Sequence, residues 1–554
     1  MPTLNIDGKE ITVDKGTTVI QAAEKLAIDI PRYCYHPGLS IAGNCRMCLV
    51  EIEKFPKLQI SCHMQAQDGM VVKTQTDVVL KTRQHILEFL LINHPLDCPV
   101  CDQAGECGLQ DYYMQHGLYD SRFDENKVKK HKAESIGPTV MLDSERCILC
   151  SRCVRFTDEI SKTSELGIFN RGDHSEIGIY PERELNNKYS GNVVDICPVG
   201  ALTDKDFRFK CRVWYLESSP SVCTGCSMGC NIDIHYQLER KHIAGGDRVM
   251  RYKPRVNEEV NKWWICDEGR YSYPFIDHNR IEKPARHLME PIFGNGRNPL
   301  IPARSPGLEG PVFAGRKDMD PAAWESVLDV AAAKLKEIPK DAWAVLVSPQ
   351  MTNEELYLAK KFFNGVLGFK MYLISPYREG YCDDFLIKAD KNPNTRGAFE
   401  LGYGVHKAQL EEIVEKAGAG KIKGLYIFGQ DLFEFLQPET AAKIFDNTSA
   451  VIFQGTNWNR TAEKAGLILP GAVFAEKDGT FTNFQRRVQR IFKAFEPKGE
   501  ARPDWEILSD LAARLGHKLP YKETREIFDE IAAAVPVFQG LTYTRLGKKG
   551  AVLA

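Results

Sequence analysis

The sequence has no long apolar run, almost no net charge and almost no cysteine in its second half. Its longest compact and mostly apolar run, Ile86 to Ile92, is far shorter than the roughly 18 residues that suggest a transmembrane helix, so we expect no direct membrane span. The formal net charge is −2 and no long basic stretch occurs, which argues against nucleic-acid binding. The amino-terminal MPTLNIDGKEITV lacks the basic and apolar regions of a secretory signal.

A dinucleotide-binding fingerprint is also missing. No G-x-G-x-x-G sequence follows a strand-like segment, so we do not expect a nicotinamide cofactor to bind this chain itself. The chain has 554 residues, of which 43% are apolar and 26% are charged. This length and composition indicate a globular protein of about three to five domains.

Cysteine is abundant, but only in the amino-terminal half. Sixteen of the 17 cysteines lie at or before Cys266. Many form Cys-x-x-Cys pairs, and in a chain without an export signal this spacing favours metal binding over disulfides. Fifteen cysteines and one histidine fall into four groups of four. The two left over, Cys211 and Cys382, are expected to serve as small apolar side chains.

The first group has the spacing C-x10-C-x2-C-x13-C. Gly38 and Gly43 lie in its loop and would let backbone amides approach inorganic sulfides closely. Four thiolates also suit zinc, and that alternative stays open for this group. A surrounding sheet and helix would resemble a ferredoxin with a two-iron cluster. The ligands are Cys34, Cys45, Cys48 and Cys62.

The second group contains only three cysteines, in HPLDCPVCDQAGEC, and therefore needs a fourth ligand. His94 gives the spacing H-x3-C-x2-C-x5-C, and a neutral imidazole in place of a thiolate should raise the cluster potential. A surface histidine is the plainer interpretation, and His85 and His116 are rivals by sequence distance. The candidate ligands are His94, Cys98, Cys101 and Cys107.

The third group has the C-x2-C-x2-C run of a ferredoxin-type four-iron site, completed by a later Cys-Pro. The second run of a two-cluster bacterial ferredoxin is absent, so one four-iron cluster is expected here. The ligands are Cys147, Cys150, Cys153 and Cys197.

The fourth group has the spacing C-x2-C-x3-C and a distant fourth cysteine. Cys266 is the candidate for that fourth position, and Cys211, twelve residues before Cys223, competes with it. Zinc is a live alternative at this site. The candidate ligands are Cys223, Cys226, Cys230 and Cys266.

The local patterns predict small mixed domains followed by a larger α/β region. TLNI and EITV, joined by Asp7-Gly8, predict a hairpin, and TTVIQAAEKL predicts a helix. Residues 77–93 predict a helix that ends before Pro95. PIFGNGRNPLIPARSPGLEGP is typical of a linker. Beyond it, WAVLVS, GLYIFG and AVIFQG alternate with helical patterns and predict a mainly parallel sheet.

These four groups, in this order, resemble those of the large iron–sulfur subunit in the peripheral arm of respiratory NADH-quinone oxidoreductase (complex I). NPNTRGAFELG and LILPGAVFAEKDGTFTNFQRRVQ look like that family's carboxy-terminal part, which is related to molybdopterin oxidoreductases. The resemblance implies a two-iron cluster on the first group and four-iron clusters on the other three. It also implies that the first three lie between flavin and quinone, and that the fourth lies off this route.

The carboxy-terminal region departs from catalytic molybdenum enzymes. Their Cys-x-Lys-Gly-Arg motif uses its lysine to link cluster and pterin, whereas this chain has Glu268 at that position. The only later cysteine, Cys382, lies in a context unlike that of a molybdenum ligand. We therefore expect a scaffold without molybdopterin.

The resemblance implies a multidomain α+β and α/β protein that relays electrons and converts no substrate alone. Its expected partners are a flavin-bearing, NADH-binding subunit and other peripheral-arm subunits, at the cytoplasmic face of a bacterial inner membrane. The alternatives are a subunit of a soluble NAD-linked hydrogenase or formate dehydrogenase, and a zinc-stabilised interaction protein. The expected domains are a β-grasp two-iron ferredoxin-like domain (1–78), a His/Cys3 cluster domain (79–118), a four-iron ferredoxin-like domain (119–215), a molybdopterin-oxidoreductase-type cluster domain (216–280) and a degenerate α/β scaffold (281–554).

Overall fold

The computed structural model describes residues 1–287, 319–374, 379–404 and 407–554. The linker-like segment 291–311 lies outside the described residues. The chain forms two compact units. The first contains residues 1–216 and 240–246, and the second contains residues 217–239 and 247–554.

The first unit begins with a five-stranded mixed sheet in the order β2-β1-β5-β3-β4, with one helix. The predicted hairpin is present, and Asp7 and Gly8 have φ values of 48° and 85°, as a type I′ turn requires. The first strand also pairs in parallel with the fifth, which gives a β-grasp arrangement. The elements are β1 (Thr3–Ile6), β2 (Lys9–Thr12), α1 (Val19–Lys25), β3 (Leu49–Ile52), β4 (Gln59–Ile60) and β5 (Met70–Lys73).

Helix α1 begins with a capping box in which Thr18 and Gln21 satisfy each other's backbone amides. Its buried face packs into a core shared with alternate residues of β1 and β3. This arrangement leaves the long loop between α1 and β3 free to carry Cys34 and Cys45.

The rest of the first unit consists of short elements joined by long loops. The helix predicted for residues 77–93 spans Asp77–Leu91, begins at the N-cap Thr76 and ends before Pro95. Two small antiparallel sheets follow, in the orders β10-β7-β6 and β8-β9. The elements are α2 (Asp77–Leu91), α3 (Gly108–His116), β6 (Glu134–Ser135), β7 (Val140–Leu142), α4 (Arg152–Glu159), β8 (Leu166–Phe169), β9 (Glu176–Ile179), α5 (Asn192–Ile196) and β10 (Leu202–Asp204).

The second unit opens with an antiparallel sheet, β11-β12-β13. Its first turn carries three cysteines, because Cys223 directly follows one strand and Cys230 directly precedes the next. A one-turn helix starts right after Cys266, whose thiol caps it. The elements are β11 (Glu217–Val222), β12 (Asn231–Tyr236), β13 (Val249–Pro254) and α6 (Asp267–Arg270).

A seven-stranded sheet in the order β15-β14-β20-β19-β18-β16-β17 forms the main layer of the second unit. The five strands from β20 to β17 are parallel, as predicted, and β14 and β15 are antiparallel to their neighbours. Every residue of β16, β18, β19 and β20 is buried, as expected for a parallel sheet covered on both faces. The elements are β14 (Ala285–His287), β15 (Met319–Pro321), α7 (Trp324–Glu337), β16 (Trp343–Val347), α8 (Asn353–Lys360), β17 (Met371–Ile374), α9 (Thr395–Glu400), α10 (Lys407–Gly418), β18 (Gly424–Phe428), α11 (Pro438–Asp446), β19 (Ala450–Gly455) and β20 (Leu467–Pro470).

A small antiparallel sheet and three helices complete the second unit. The sheet has the order β21-β22-β23, and α12 and α13 pack with α7 and α8 over the apolar core of the large sheet. Within the described ranges, no helix has the length and apolar character needed to cross a membrane. The elements are β21 (Gly479–Thr482), β22 (Arg487–Ile491), α12 (Asp504–Arg514), α13 (Thr524–Ala534), α14 (Tyr543–Leu546) and β23 (Ala551–Val552).

Candidate functional site

The four cysteines of the first group form two close pairs. The side chains of Cys34 and Cys45 share a hydrogen bond, and so do those of Cys48 and Cys62. This bond lowers the pKa of Cys34 to about 5 and raises the pKa of Cys45. In the second pair it lowers the pKa of Cys48 to about 7 and raises the pKa of Cys62. Two thiols at each of two positions fit a two-iron cluster, whose four cysteines are divided between two irons.

The loop before β3 brings backbone amides to these sulfurs. The amides of Asn44 and Cys45 donate hydrogen bonds to the Cys34 sulfur. Gly43 has a φ of +62°, in the left-handed region, and a Cβ atom there would lie 3.2 Å from Ile60 Cδ1. Hydrogen bonds to a thiolate favour its charged form and are one way in which a protein tunes a cluster potential.

A buried arginine lies beside the first group. Arg83 on α2 is fully buried, and none of its three side-chain nitrogens has a hydrogen-bond partner. Burial lowers the pKa of Arg83, and the charges of Asp29, Asp7 and Cys48 oppose that shift. A buried cation is stable only near compensating negative charge. An anionic cluster held by Cys48 and the other thiols would supply that charge.

In the second group, one imidazole nitrogen is left available. His94 Nδ1 is buried and has no hydrogen-bond partner, and burial lowers the pKa of His94 to about 4. A neutral imidazole with an unused lone pair is the form that binds metal. The rival His116 instead has Arg83 and Asp29 as its electrostatic neighbours.

The three cysteines of the second group surround the turn between α2 and α3. Cys98 begins a one-turn 3₁₀ helix, Cys101 follows it, and Cys107 is the N-cap of α3. Burial raises the pKa of Cys101, with Arg146 and Asp97 among its electrostatic neighbours. Because Asp97 and Arg146 are also neighbours of His94, the imidazole and the thiols face one region of the fold.

The third group lines a partly enclosed cavity in the first unit. Leu149 and Ser151 have φ values of 54° and 60°, which lets the C-x2-C-x2-C run wrap around this space before α4 begins. Burial raises the pKa of Cys150 to about 11, so its thiolate needs cationic partners such as cluster irons. The sulfur atoms in the lining belong to Cys147, Cys150, Cys153 and Cys197.

The segment after Cys197 connects the third group with the second. Gly108, next to Cys107, donates its amide proton to the carbonyl oxygen of Pro198 over 2.9 Å. A Cβ atom at Gly200 would lie only 2.2 Å from Cys101 Sγ, so only glycine fits there without a shift. The Cys-Pro-x-Gly segment therefore carries Cys197 of the third group and also contacts the second group.

Sequence reasoning missed the arginines of the third group's own motif. Arg146, Arg152 and Arg155 alternate with its cysteines in RCILCSRCVR. Arg146 is 5% exposed and binds Asp97 of the second-group segment over 2.7 Å. The other two reach the first group, as described below. The interleaved Arg/Cys pattern is visible in the sequence, but its contacts depend on the fold.

The fourth group lies entirely within the second unit. Cys266 has Cys226 as an electrostatic neighbour, and Cys266 is itself a neighbour of Cys223 and Cys230. All four cysteines are buried. Burial raises the pKa of Cys266 to about 12. The rival Cys211 belongs to the first unit.

Two glycines make room for the fourth group. A Cβ atom at Gly269 would lie 2.9 Å from Cys223 Sγ, and Gly225 also borders that sulfur. The amide of Gly225 donates to Cys223 Sγ, and the amide of Gly269 donates to Cys266 Sγ. The backbone therefore approaches these thiols as closely as a cluster site with amide-to-sulfur bonds requires.

Among the residues that the structure describes, no three histidine, cysteine, aspartate or glutamate side chains converge closely enough to share one metal ion. A structural zinc site would bring four ligands together, with each sulfur about 2.3 Å from the metal.

Five family models match the chain in the same order as these features. Fold, thiol pattern and matches together define a multidomain iron–sulfur electron-transfer protein. The matches are the 2Fe-2S iron-sulfur cluster binding domain (1–77), the NADH-ubiquinone oxidoreductase-G iron-sulfur binding region (83–122), the NADH-quinone oxidoreductase subunit 3 ferredoxin-like domain (137–203), the NADH-ubiquinone oxidoreductase NDSU1/NuoG-like 4Fe-4S domain (219–274) and molybdopterin oxidoreductase (389–514).

The chain belongs to the family of the NADH-quinone oxidoreductase G subunit. It is 32% identical to the G subunit from Rickettsia bellii, over 97% of this chain and 90% of the relative. It is 31% identical to the mitochondrial NADH-ubiquinone oxidoreductase 78 kDa subunit of Neurospora crassa, over 96% and 83%. A NAD+-reducing [NiFe]-hydrogenase structure matches 38% of this chain and 91% of its own, with 32% identity and a TM-score of 0.35.

Membership confirms several predictions. The chain is an electron-transfer subunit of NADH-quinone oxidoreductase, with one 2Fe-2S domain, 4Fe-4S domains and a molybdopterin-oxidoreductase-like domain. The predicted fold class is confirmed as well, from the β-grasp sheet to the parallel α/β sheet.

Proposed function

We propose that this chain relays single electrons from a flavin-bearing, NADH-oxidising partner toward quinone, with one two-iron and three four-iron clusters. Bound iron–sulfur clusters exchange electrons without making or breaking substrate bonds, so the chain needs no acid, base or nucleophile. The proposed ligands are Cys34, Cys45, Cys48 and Cys62 for the two-iron cluster, and His94, Cys98, Cys101 and Cys107; Cys147, Cys150, Cys153 and Cys197; and Cys223, Cys226, Cys230 and Cys266 for the four-iron clusters.

One observation carries this proposal: the third group contacts both the first and the second. Asn44 of the first-group loop donates to the Leu149 carbonyl oxygen over 3.1 Å. On the other side, Gly200 packs against Cys101 Sγ. We therefore place the third group between the other two, so that the proposed series runs first, third, second. A series of closely spaced buried sites is what single-electron transfer requires.

The second group would be the end of this series that faces the next acceptor. Its ligand Cys98 is exposed, whereas the cysteines of the third group are mostly buried. Leu96 and Val100 on either side are 82% and 60% exposed. Exposed apolar side chains around a cluster ligand favour docking of a partner subunit. The partners would be the flavin-bearing subunit and other peripheral-arm subunits of complex I, at the cytoplasmic face of a bacterial inner membrane.

The fourth group would not support molybdopterin chemistry. Glu268 occupies the position of the cluster-to-pterin lysine of catalytic relatives, and it binds Lys391 Nζ over 2.9 Å. An ion pair therefore fills the place where that lysine would act. We propose the domain boundaries 1–78, 79–118, 119–215, 216–280 and 281–554, with the last domain as a scaffold.

The test of this function is reduction by NADH with and without a partner. We expect NADH alone to leave the reconstituted chain oxidised, because the sequence has no dinucleotide-binding fingerprint. Addition of the flavin-bearing subunit should allow NADH to bleach the visible absorbance and to produce paramagnetic signals. Rapid reduction of the pure, flavin-free chain by NADH would contradict the proposal.

His94→Cys tests the unusual ligand of the second group. A thiolate in place of a neutral imidazole adds a negative charge, so the cluster should persist with a potential lower by on the order of 100 mV. The potential is measured by redox titration followed by electron paramagnetic resonance. His116→Cys is the matched control and should change nothing. An unchanged potential in His94→Cys would remove His94 from the ligand set.

A further inference from the structure

Arg155 joins ligand loops of two different groups. Its Nη2 atom donates to the carbonyl oxygen of Cys34 over 2.6 Å and to that of Cys150 over 3.3 Å. Its Nη1 atom donates to the carbonyl oxygen of Ser40 in the first-group loop. One guanidinium group therefore binds the backbone at a first-group ligand and at a third-group ligand.

Arg152, one turn away on α4, makes a second connection between the same groups. Its Nη2 atom donates to the carbonyl oxygen of Tyr35 over 2.6 Å, and its Nη1 atom donates to that of Ile196 over 3.0 Å. Tyr35 follows Cys34 and Ile196 precedes Cys197. Both arginines thus reach the residues beside the cluster ligands.

The positive charge of Arg152 is held among thiols of both groups. Burial lowers the pKa of Arg152, and the thiols that oppose this shift are Cys150, Cys197, Cys34 and Cys45. Two belong to the third group and two to the first. A guanidinium remains charged in proteins even when it is buried. A fixed cation beside two electron-accepting sites favours the reduced, more negative state of each.

The loop that the arginines bind is also held by its own contacts with α4. The Ser40 amide donates to Glu159 Oε2 over 2.8 Å, and the Ser40 hydroxyl donates to Glu159 Oε1. These bonds fix the loop to the helix but add no positive charge. The positive charge at this contact comes from Arg152 and Arg155, which lie between the two groups, whereas Arg83 lies beside the first group.

We propose that Arg152 and Arg155 are positioning residues that fix the first group against the third and favour reduction at both. The inference rests on the proposed function, because it assumes clusters at both groups. Lysine could supply the charge but not the planar fork that binds two loops at once. Arginine provides both.

The test uses the full chain at a fixed solution potential. It measures, from the paramagnetic signals, the ratio of reduced to oxidised form for the two-iron cluster and for the four-iron cluster. Arg155→Gln should lower both ratios about tenfold, which corresponds to about 59 mV for a one-electron couple. Arg155→Lys keeps the charge and should stay within about threefold of the parent. Arg183→Gln is the matched control, because Arg183 is exposed, donates to the Thr163 and Ser164 carbonyl oxygens and lies over the Tyr180 ring.

The outcomes separate this inference from the proposed function. Parental ratios in a fully iron-loaded Arg155→Gln variant would overturn the inference and leave the function standing. Absence of reducible signals from the parent would overturn both. If Arg155→Gln loses iron, Arg152→Gln is measured instead, by the same criterion. If both glutamine variants lose iron, the Arg155→Lys variant decides. Parental ratios in an iron-loaded Arg155→Lys variant would support the role of charge. Iron loss in Arg155→Lys as well would show that the two arginines are needed only for folding, and it would overturn the inference.

Discussion

Replacing Cys150 with alanine is expected to reduce NADH-driven quinone reduction by the assembled complex to background. Cys150 lies in the third group, which contacts both the first and the second, so loss of its cluster would interrupt the series in the middle. Reduction of ferricyanide by NADH at the flavin-bearing partner should continue, because it needs no cluster of this chain. Both rates are measured on the same membranes, together with the four-iron signal of the third group.

Two other cysteine variants serve as controls for Cys150→Ala. Cys211→Ala removes a buried thiol of the same unit that belongs to no group, and it should keep the parental quinone reduction. Cys226→Ala removes a proposed ligand of the fourth group and should also keep the parental quinone reduction, because the fourth cluster would lie off the route. Quinone reduction at the parental rate by Cys150→Ala would contradict the proposed order.

Replacing Lys477 with methionine is expected to destabilise the second unit by about 3–5 kcal/mol. Lys477 Nζ is buried and lies 2.7 and 2.8 Å from the two carboxylate oxygens of Glu355, and 3.3 Å from Asp504 Oδ2. Glu355 is 1% exposed and also caps α8. Removing the cation leaves two buried carboxyl groups without a counter-charge. Calorimetry of the full chain would show a lower Tm for this unit.

The loss of stability in the Lys477→Met variant should depend on pH. Burial raises the pKa of Asp504 to about 6 against the attraction of Lys477, and removal of Lys477 would raise that pKa further. The folded variant then binds a proton more tightly than the unfolded chain, so its stability recovers as the pH falls below the folded pKa. The difference from the parent should therefore be larger at pH 8 than at pH 5.

An exposed ion pair provides the matched control for this variant. Lys334 and Glu337 lie 2.9 Å apart, with side chains 40% and 66% exposed. Lys334→Met should change the stability by about 0.5 kcal/mol or less, because water already solvates both charges. An equal effect of Lys334→Met and Lys477→Met would show that the buried position does not matter and would contradict the argument.

The sequence predicted the elements whose patterns are local. Asp7-Gly8 predicts the type I′ hairpin by its conformational preferences, and the uninterrupted apolar runs predict the parallel strands β16, β18 and β19. Cysteine spacing predicted which thiols belong together, because two or three intervening residues let one loop surround a cluster. The structure brings each predicted set of cysteines into one region, and ligand substitution tests their proposed role.

The spatial order of the groups could not be predicted from the sequence. The chain presents them as first, second and third, whereas the third contacts both of the others. Tyr33, next to Cys34, also packs against Tyr112 of α3. Long-range contacts of this kind depend on packing and not on local pattern. The roles of Arg152 and Arg155 were missed for the same reason, since their partners lie more than a hundred residues away in the first group.

The most direct measurement is the content of iron and acid-labile sulfide in the protein prepared without oxygen. We expect a brown protein with about 14 iron atoms and about 14 sulfides per chain, since a two-iron cluster holds two of each and each four-iron cluster holds four. We also expect the four sites to contain no zinc. A colourless protein that contains zinc and no sulfide would contradict the account.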